Sequence, residues 1–103
     1  MLYKIKIDQE ALLDIQEIIE WYNEHVQGIG ARFFKQITSQ IYALKKAPFI
    51  YSNRYADVRC MIIKKFPFMV HYKIDSSQKT IIIFAVFHTS RNPKIWEERK
   101  IRN

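Results

Sequence analysis

The stretch "VRCMIIKKFPFMVHYKID", residues 58–75, decides the fold. Its side chains follow a period of two. Val58, Cys60 and Ile62 alternate with Arg59, Met61 and Ile63, and Phe68, Val70, Tyr72 and Ile74 alternate with Met69, His71, Lys73 and Asp75. Successive side chains of an extended chain point to opposite faces, so this pattern predicts two paired strands. Lys64-Lys65-Phe66-Pro67 supplies the turn between them, and Asp75 to Lys79 supplies a second turn. That turn leads into "TIIIFAVFH", residues 80–88, which is apolar on both faces. Such a run fits a central strand covered by helices on one side and by something else on the other.

Upstream of these strands the period is helical. Leu2, Ile5 and Ile7 make a short first strand, and Asp8 then stands as an N-cap with Glu10 in the first turn, where the helix dipole favours acid. Ala11, Leu12, Ile15, Ile18, Ile19 and Tyr22 recur at three- and four-residue spacing, with Asp14, Glu17, Glu20 and Glu24 on the outside. Gly28 and Gly30, the only glycines, interrupt the pattern and predict a tight turn. A second stripe, Phe33, Phe34, Ile37, Ile41 and Leu44, ends at Ala47-Pro48, because proline cannot continue the helical hydrogen bonds. A loop through Ser52 and Asn53 follows. The expectation is an α+β domain spanning residues 1–103, an N-terminal strand and an antiparallel helix hairpin packed on a mainly antiparallel sheet of about four strands.

Composition sets limits on function. The 103 residues suffice for one core and not for two. No run approaches a membrane span, and the start "MLYKIKIDQE" lacks the apolar centre of a signal peptide, which points to the cytoplasm. The single cysteine, Cys60, forms no internal disulfide and reads as a small apolar strand residue. The net charge of +7 is unevenly spread: residues 1–53 hold six basic and six acidic residues, and residues 54–103 hold eleven and four. The basic second half suits an anionic partner, nucleic acid or acidic protein, or else is a solvated face.

Four positions stand out for chemistry. Arg59 interrupts an apolar row, so its guanidinium needs an anion: Asp57, a helix carboxylate, a phosphate or a partner carboxylate. His88 and Arg91 stand where the last strand ends, and His71 lies mid-strand. A histidine can be a general base or a hydrogen-bonded surface residue. His25, His71 and His88 show no metal-ligand spacing, and neither metal nor cofactor is expected. Trp96, beyond Asn92-Pro93, is either an anchor for the tail or a stacking or partner-binding platform. For Trp21 and Tyr22 the same choice favours helix burial.

Taken in order, "ALLDIQEIIEWY", "GARFFKQI", "VRCMIIKKFPFMVHYKID" and "VFHTSRNPKIW" resemble the RelE/ParE superfamily of type II toxin–antitoxin toxins along nearly the whole chain, most closely the ParE branch of plasmid stabilisation proteins. The resemblance implies a toxin neutralised by a cognate antitoxin. RelE-like members cut messenger RNA in the ribosomal A site, and ParE-like members poison DNA gyrase; one fold serves both. RelE-type nucleases resemble this chain in a sheet arginine at Arg59 and another at Arg91, both of which hold phosphate. They also carry lysines before the first arginine and an aromatic hydroxyl after the second. Here "RYADVR" offers Arg54 but no lysine, and the tail offers Trp96, whose indole cannot act as a general base.

Three readings follow. In the first, Arg59, Lys64, Lys65, Arg91 and Trp96 contact gyrase. In the second, an mRNA interferase uses Arg59 and Arg91 on phosphate and His88 as proton shuttle. In the third, an inactive relative survives as an interaction module or co-repressor. In each the antitoxin's acidic segment is expected on the basic second-half strands, at Lys64 and Lys65, since the first helix is acidic.

Overall fold

The computed structural model describes residues 2–102. The order of elements is β1 (Lys4–Ile7), α1 (Gln9–His25), α2 (Ile29–Ala43), β2 (Asn53–Tyr55), β3 (Val58–Ile62), β4 (Phe68–Asp75), β5 (Thr80–His88) and α3 (Pro93–Arg102). The strands form one sheet in the order β1-β5-β4-β3-β2. β1 runs parallel to β5 and every other pairing is antiparallel. The α+β hairpin-on-sheet architecture is as expected, with two additions. The sheet has five strands, because Asn53–Tyr55, expected as loop, pairs with β3. The tail is a helix rather than an irregular anchor.

The sheet separates two cores. On one side α1 and α2 lay Ala11, Ile15, Ile18, Phe33, Ile37, Ile41 and Leu44 over Met61, Ile63, Val70, Tyr72, Ile81, Ile83 and Val86. On the other, Trp96 and Ile95 of α3 close over Val58, Met69, Phe84, Ala85 and Phe87. This second core is the unidentified cover that the doubly apolar β5 required. A register shift in β4 and β5 makes both faces work. His71 pairs with Ala85 and Tyr72 with Ile83, which leaves Phe84 as an extra residue and turns both Phe84 and Ala85 toward α3.

Some expected core residues lie outside. Leu12 and Phe34 are 46% and 52% exposed, at the margins of their stripes, and Trp21 is 54% exposed, contrary to the burial expected of it. Tyr22 does turn inward, meeting Phe33, Phe66 and Phe68 with ring centroids 6.0, 5.6 and 6.2 Å away. Asp8 occupies the N-cap position of α1, but its side chain makes no capping bond and lies 3.9 Å from Lys6 Nζ.

The helix hairpin depends on its two glycines for different reasons. Gly28 has φ +88°, the left-handed conformation glycine adopts without strain. Gly30 lies where α2 starts against α1. Its N–H donates to Asn23 Oδ1 at 3.2 Å, and a Cβ there would stand 2.8 Å from the Ile19 carbonyl oxygen. Backbone cannot yield as a side chain does, so Gly30→Ala is expected to destabilise by roughly 1–3 kcal/mol. A thermal melt should show Tm lowered by roughly 5–15 °C; an unchanged Tm would refute the close-approach account.

Candidate functional site

β1 pairs with β5 only from Thr80 to Ile83, so the rest of β5 has no strand on that side. Two side chains from distant parts of the chain close the gap. Asp14 Oδ2 accepts from the Val86 N–H at 2.9 Å, and Arg99 Nη1 donates to the Phe84 carbonyl at 3.2 Å. The two then pair with each other, Arg99 Nη1 to Asp14 Oδ2 at 2.8 Å and Nη2 to Oδ1 at 3.2 Å, and Arg99 Nε lies 2.7 Å from Glu10 Oε2. Asp14, expected on the solvent side of α1, is therefore turned inward with its side chain 14% exposed. The reading from sequence passed over Arg99.

Beside this lock a cleft opens between α1 and the end of β5, lined by Glu10, Asp14, Glu17, His88, Arg91 and Arg99. The structure thus brings His88 and Arg91 together, as their spacing implied. Their local geometry follows from the turn out of β5: Thr89 N–H donates to the Pro67 carbonyl at 2.8 Å and Arg91 N–H to the His88 carbonyl at 3.0 Å. His88 Nδ1 accepts the Ser90 N–H at 3.1 Å and lies 2.8 Å from Ser90 Oγ. A backbone N–H can only donate, so Nδ1 holds the lone pair and the neutral ring carries its proton on Nε2. Arg91 is exposed, its guanidinium carbon 5.5 Å from the Phe87 ring centroid. Asn92 Oδ1 accepts the Lys94 N–H at 3.0 Å, and Pro93 follows in the first helical turn, where its missing donor costs nothing. Asn-Pro ahead of Ile95 and Trp96 was a legible helix start.

Arg59 is elsewhere. It pairs with Tyr72 across β3 and β4, whereas His88 pairs with Phe68, four residues along β4 and one strand further over. Strand geometry puts the two backbones roughly 16 Å apart. The Arg59 guanidinium is held by the Tyr51 carbonyl and by the Phe49 ring, 5.0 Å from its centroid. The anion expected for it, Asp57 or a helix carboxylate, is not its partner; a carbonyl and an aromatic face take that place. Asp57 instead meets Lys100 at 3.2 Å.

Trp96 is buried at 7% exposure, 4.9 Å from the His71 ring and 5.6 Å from Tyr55. It anchors α3 and offers a partner little surface in this conformation. His71 beneath it is fully buried, with Nδ1 3.0 Å from Tyr55 Oη and 3.4 Å from Cys60 Sγ. Burial, with Arg54 and Arg99 nearby, pushes its pKa down to about 4, so it is neutral and sealed at physiological pH. Burial pushes the Cys60 thiol up to about 11 and the Tyr55 hydroxyl well above its usual range. This trio is packing, not an acid–base site.

Lys64 and Lys65 project from the β3–β4 turn, which is closed by Phe66 N–H donating to the Ile63 carbonyl at 3.1 Å. Lys65 has φ +72°, a conformation that costs a non-glycine residue about 1 kcal/mol. Gln40 of α2 holds the turn, donating to the Ile62 carbonyl at 3.0 Å and accepting the Lys64 N–H at 2.8 Å. Among the described residues no group of His, Cys, Asp and Glu side chains could hold a metal ion, and no helix is long and apolar enough to cross a membrane.

The layout, a helix hairpin and a short terminal helix on opposite sides of a β1-β5-β4-β3-β2 sheet, is shared with toxins of known structure. It aligns with a protein of the chromosomal ParDE system of P. aeruginosa at a TM-score of 0.74, with 16% identity over 84% of this chain and 96% of that one. It aligns with a free double arginine-to-alanine mutant of the E. coli toxin RelE at 0.75, with 13% identity over 99% and 98%. It aligns with a chain of the RelBE2 toxin–antitoxin complex of Mycobacterium tuberculosis at 0.60, with 16% identity over 85% and 92%. A comparison with curated protein sequences found no match. The profile of the family described as ParE toxin of type II toxin-antitoxin system, parDE, matches residues 5–93, and the chain belongs to that family.

Two outcomes follow from the buried groups. Asp14→Ala leaves Arg99 and the Val86 N–H without that carboxylate, and urea unfolding should show a loss of about 3 kcal/mol. His71 binds its proton more weakly folded than unfolded, so its contribution is complete above pH ~6.5 and is lost as pH falls toward ~4, by up to roughly 3 kcal/mol. In His71→Phe the slope of stability against pH across that window should flatten; an unchanged slope would assign it to other groups.

Proposed function

We propose that this toxin arrests growth in the cytoplasm by binding DNA gyrase and trapping its cleaved DNA intermediate, rather than by cutting RNA. The observation that carries this reading is the separation of Arg59 from Arg91. Ribonuclease chemistry by attack of a ribose 2′-hydroxyl needs phosphate clamps converging on one phosphate, with a base and a leaving-group acid beside them. Here Arg59 is tied to the Tyr51 carbonyl and the Phe49 ring, roughly 16 Å from the strand end that positions Arg91. His88 is also unsuited to take a proton outward, because its lone pair is already engaged by Ser90. Membership in the ParE family supports the same direction. The exposed Arg91 and the lysines of the β3–β4 turn are the contacts we assign to gyrase, with Arg59 and Trp96 supporting them from within.

A second reading, a RelE-like interferase, has one observation in its favour. The cleft that holds His88 and Arg91 also holds Glu17, so an acid–base pair and one phosphate clamp share a wall. The two readings part in one experiment. Purified toxin added to gyrase should inhibit supercoiling and accumulate cleaved DNA, and Arg91→Ala should weaken both by roughly tenfold or more. Absence of any effect at large excess, together with cleavage of ribosome-bound message that disappears in His88→Ala, would establish the interferase instead.

A further inference from the structure

We propose that the groove between α2 and the β3–β4 turn seats an extended acidic segment of the antitoxin, with one apolar residue of that segment packed on Ile29 and Phe66. The assignment rests on the chain being a toxin with an antitoxin partner and is independent of its cellular target.

Arg32 and Lys35, one helical turn apart on α2, face Lys64 and Lys65 across this groove, whose lining contains no carboxylate. All four are exposed. Among the described residues none of the four makes an ion pair; Lys6, Arg99 and Lys100 make those found. Four like charges held together repel one another, and nothing within the described chain relieves it. The groove is also held in shape. Gln36 donates to Gln40 at 2.7 Å, and Gln40 in turn grips the turn through the Ile62 carbonyl and the Lys64 N–H. Lys65 takes the left-handed conformation at the tip, where glycine or asparagine would sit without strain. The turn thus keeps a lysine at a position that local conformation disfavours.

The shape selects peptide over nucleic acid. Duplex DNA is read by convex elements that enter its grooves, whereas these cations line a concavity and face each other. Single strands need an aromatic face for stacking. The groove's one aromatic ring, Phe66, is clamped edge-to-face against Phe33 at 5.2 Å and Tyr22 at 5.6 Å. What remains fits a peptide: carboxylates to both walls and an apolar side chain onto the half-buried Ile29 and Phe66. The site joins cations of both halves of the chain, whereas sequence alone placed this contact on the second-half strands.

The test measures fluorescence anisotropy of a labelled peptide of alternating Glu and Leu, its Gln-for-Glu counterpart, and oligothymidylate, against wild type and R32Q/K35Q/K64Q/K65Q. These are surface changes, and the fold is checked by an unchanged thermal melt. The acidic peptide should bind wild type in a salt-dependent way, the Gln peptide should not, and the quadruple variant should lose roughly tenfold or more in affinity. Equal binding by the variant overturns the proposal. Tighter binding of oligothymidylate than of peptide, through the same four residues, also overturns it in favour of nucleic acid. Growth on induction of wild type is scored in parallel: peptide capture by the groove without growth arrest removes the antitoxin as the source, whereas growth arrest with groove-independent peptide binding removes the groove and leaves the toxin reading intact.

Discussion

The pairing of Asp14 with Arg99 is the constraint on which the architecture turns. β1 is four residues long and covers only the first part of β5. A sheet interior cannot leave N–H and C=O groups facing a void, because each unpaired group costs about as much as a lost hydrogen bond. The two side chains supply what a longer β1 would have supplied, an acceptor for Val86 and a donor for Phe84. Because Asp14 comes from α1 and Arg99 from α3, the same bonds fasten the helices on opposite sides of the sheet to one strand. The cleft at His88 and Arg91 is the space left beside this fastening.

That arrangement disperses the cationic side chains. Arg99 is spent on structure, Arg59 lies under the loop before β2, Arg91 stands at the rim, and Lys64 and Lys65 project at the opposite end of β3 from Arg59. A chain that looks like one basic face when read linearly is a set of separate contacts in space. Such a layout suits recognition of large surfaces, where several modest contacts add, better than concentration of charge on one reacting phosphate.

Much of the fold was legible because it is repetitive. Period two gave β3, β4 and β5, and the stripes gave α1 and α2, since burial against a sheet imposes those spacings. β2 was not legible: Asn-Arg-Tyr is three residues, mostly exposed, with no alternation to detect. α3 buries little besides Ile95 and Trp96, so its apolar stripe is faint, although its Asn-Pro start was present. Asp14 was misplaced for a deeper reason. Its spacing matches the acidic outer residues of α1, and the partner that turns it inward lies 85 positions away. Of the candidate site, the neighbourhood of His88 and Arg91 could be read from four consecutive residues. The separation of Arg59 depended on strand order, which local sequence does not carry.

The pairing of β1 with β5 joins Lys4 to Thr80. During vectorial synthesis the first strand therefore waits for almost the whole domain, and the apolar stripe of the helix hairpin stays uncovered until β4 and β5 emerge. Closing so long a loop places the contact among the slow, late steps of folding. The seal on the second core comes later still, with Trp96 and Arg99. A ribosome that stalls before these codons holds a chain with an open sheet edge and two unfinished cores, a substrate for proteases and not a weapon. Activity is thus tied to completed translation by topology alone.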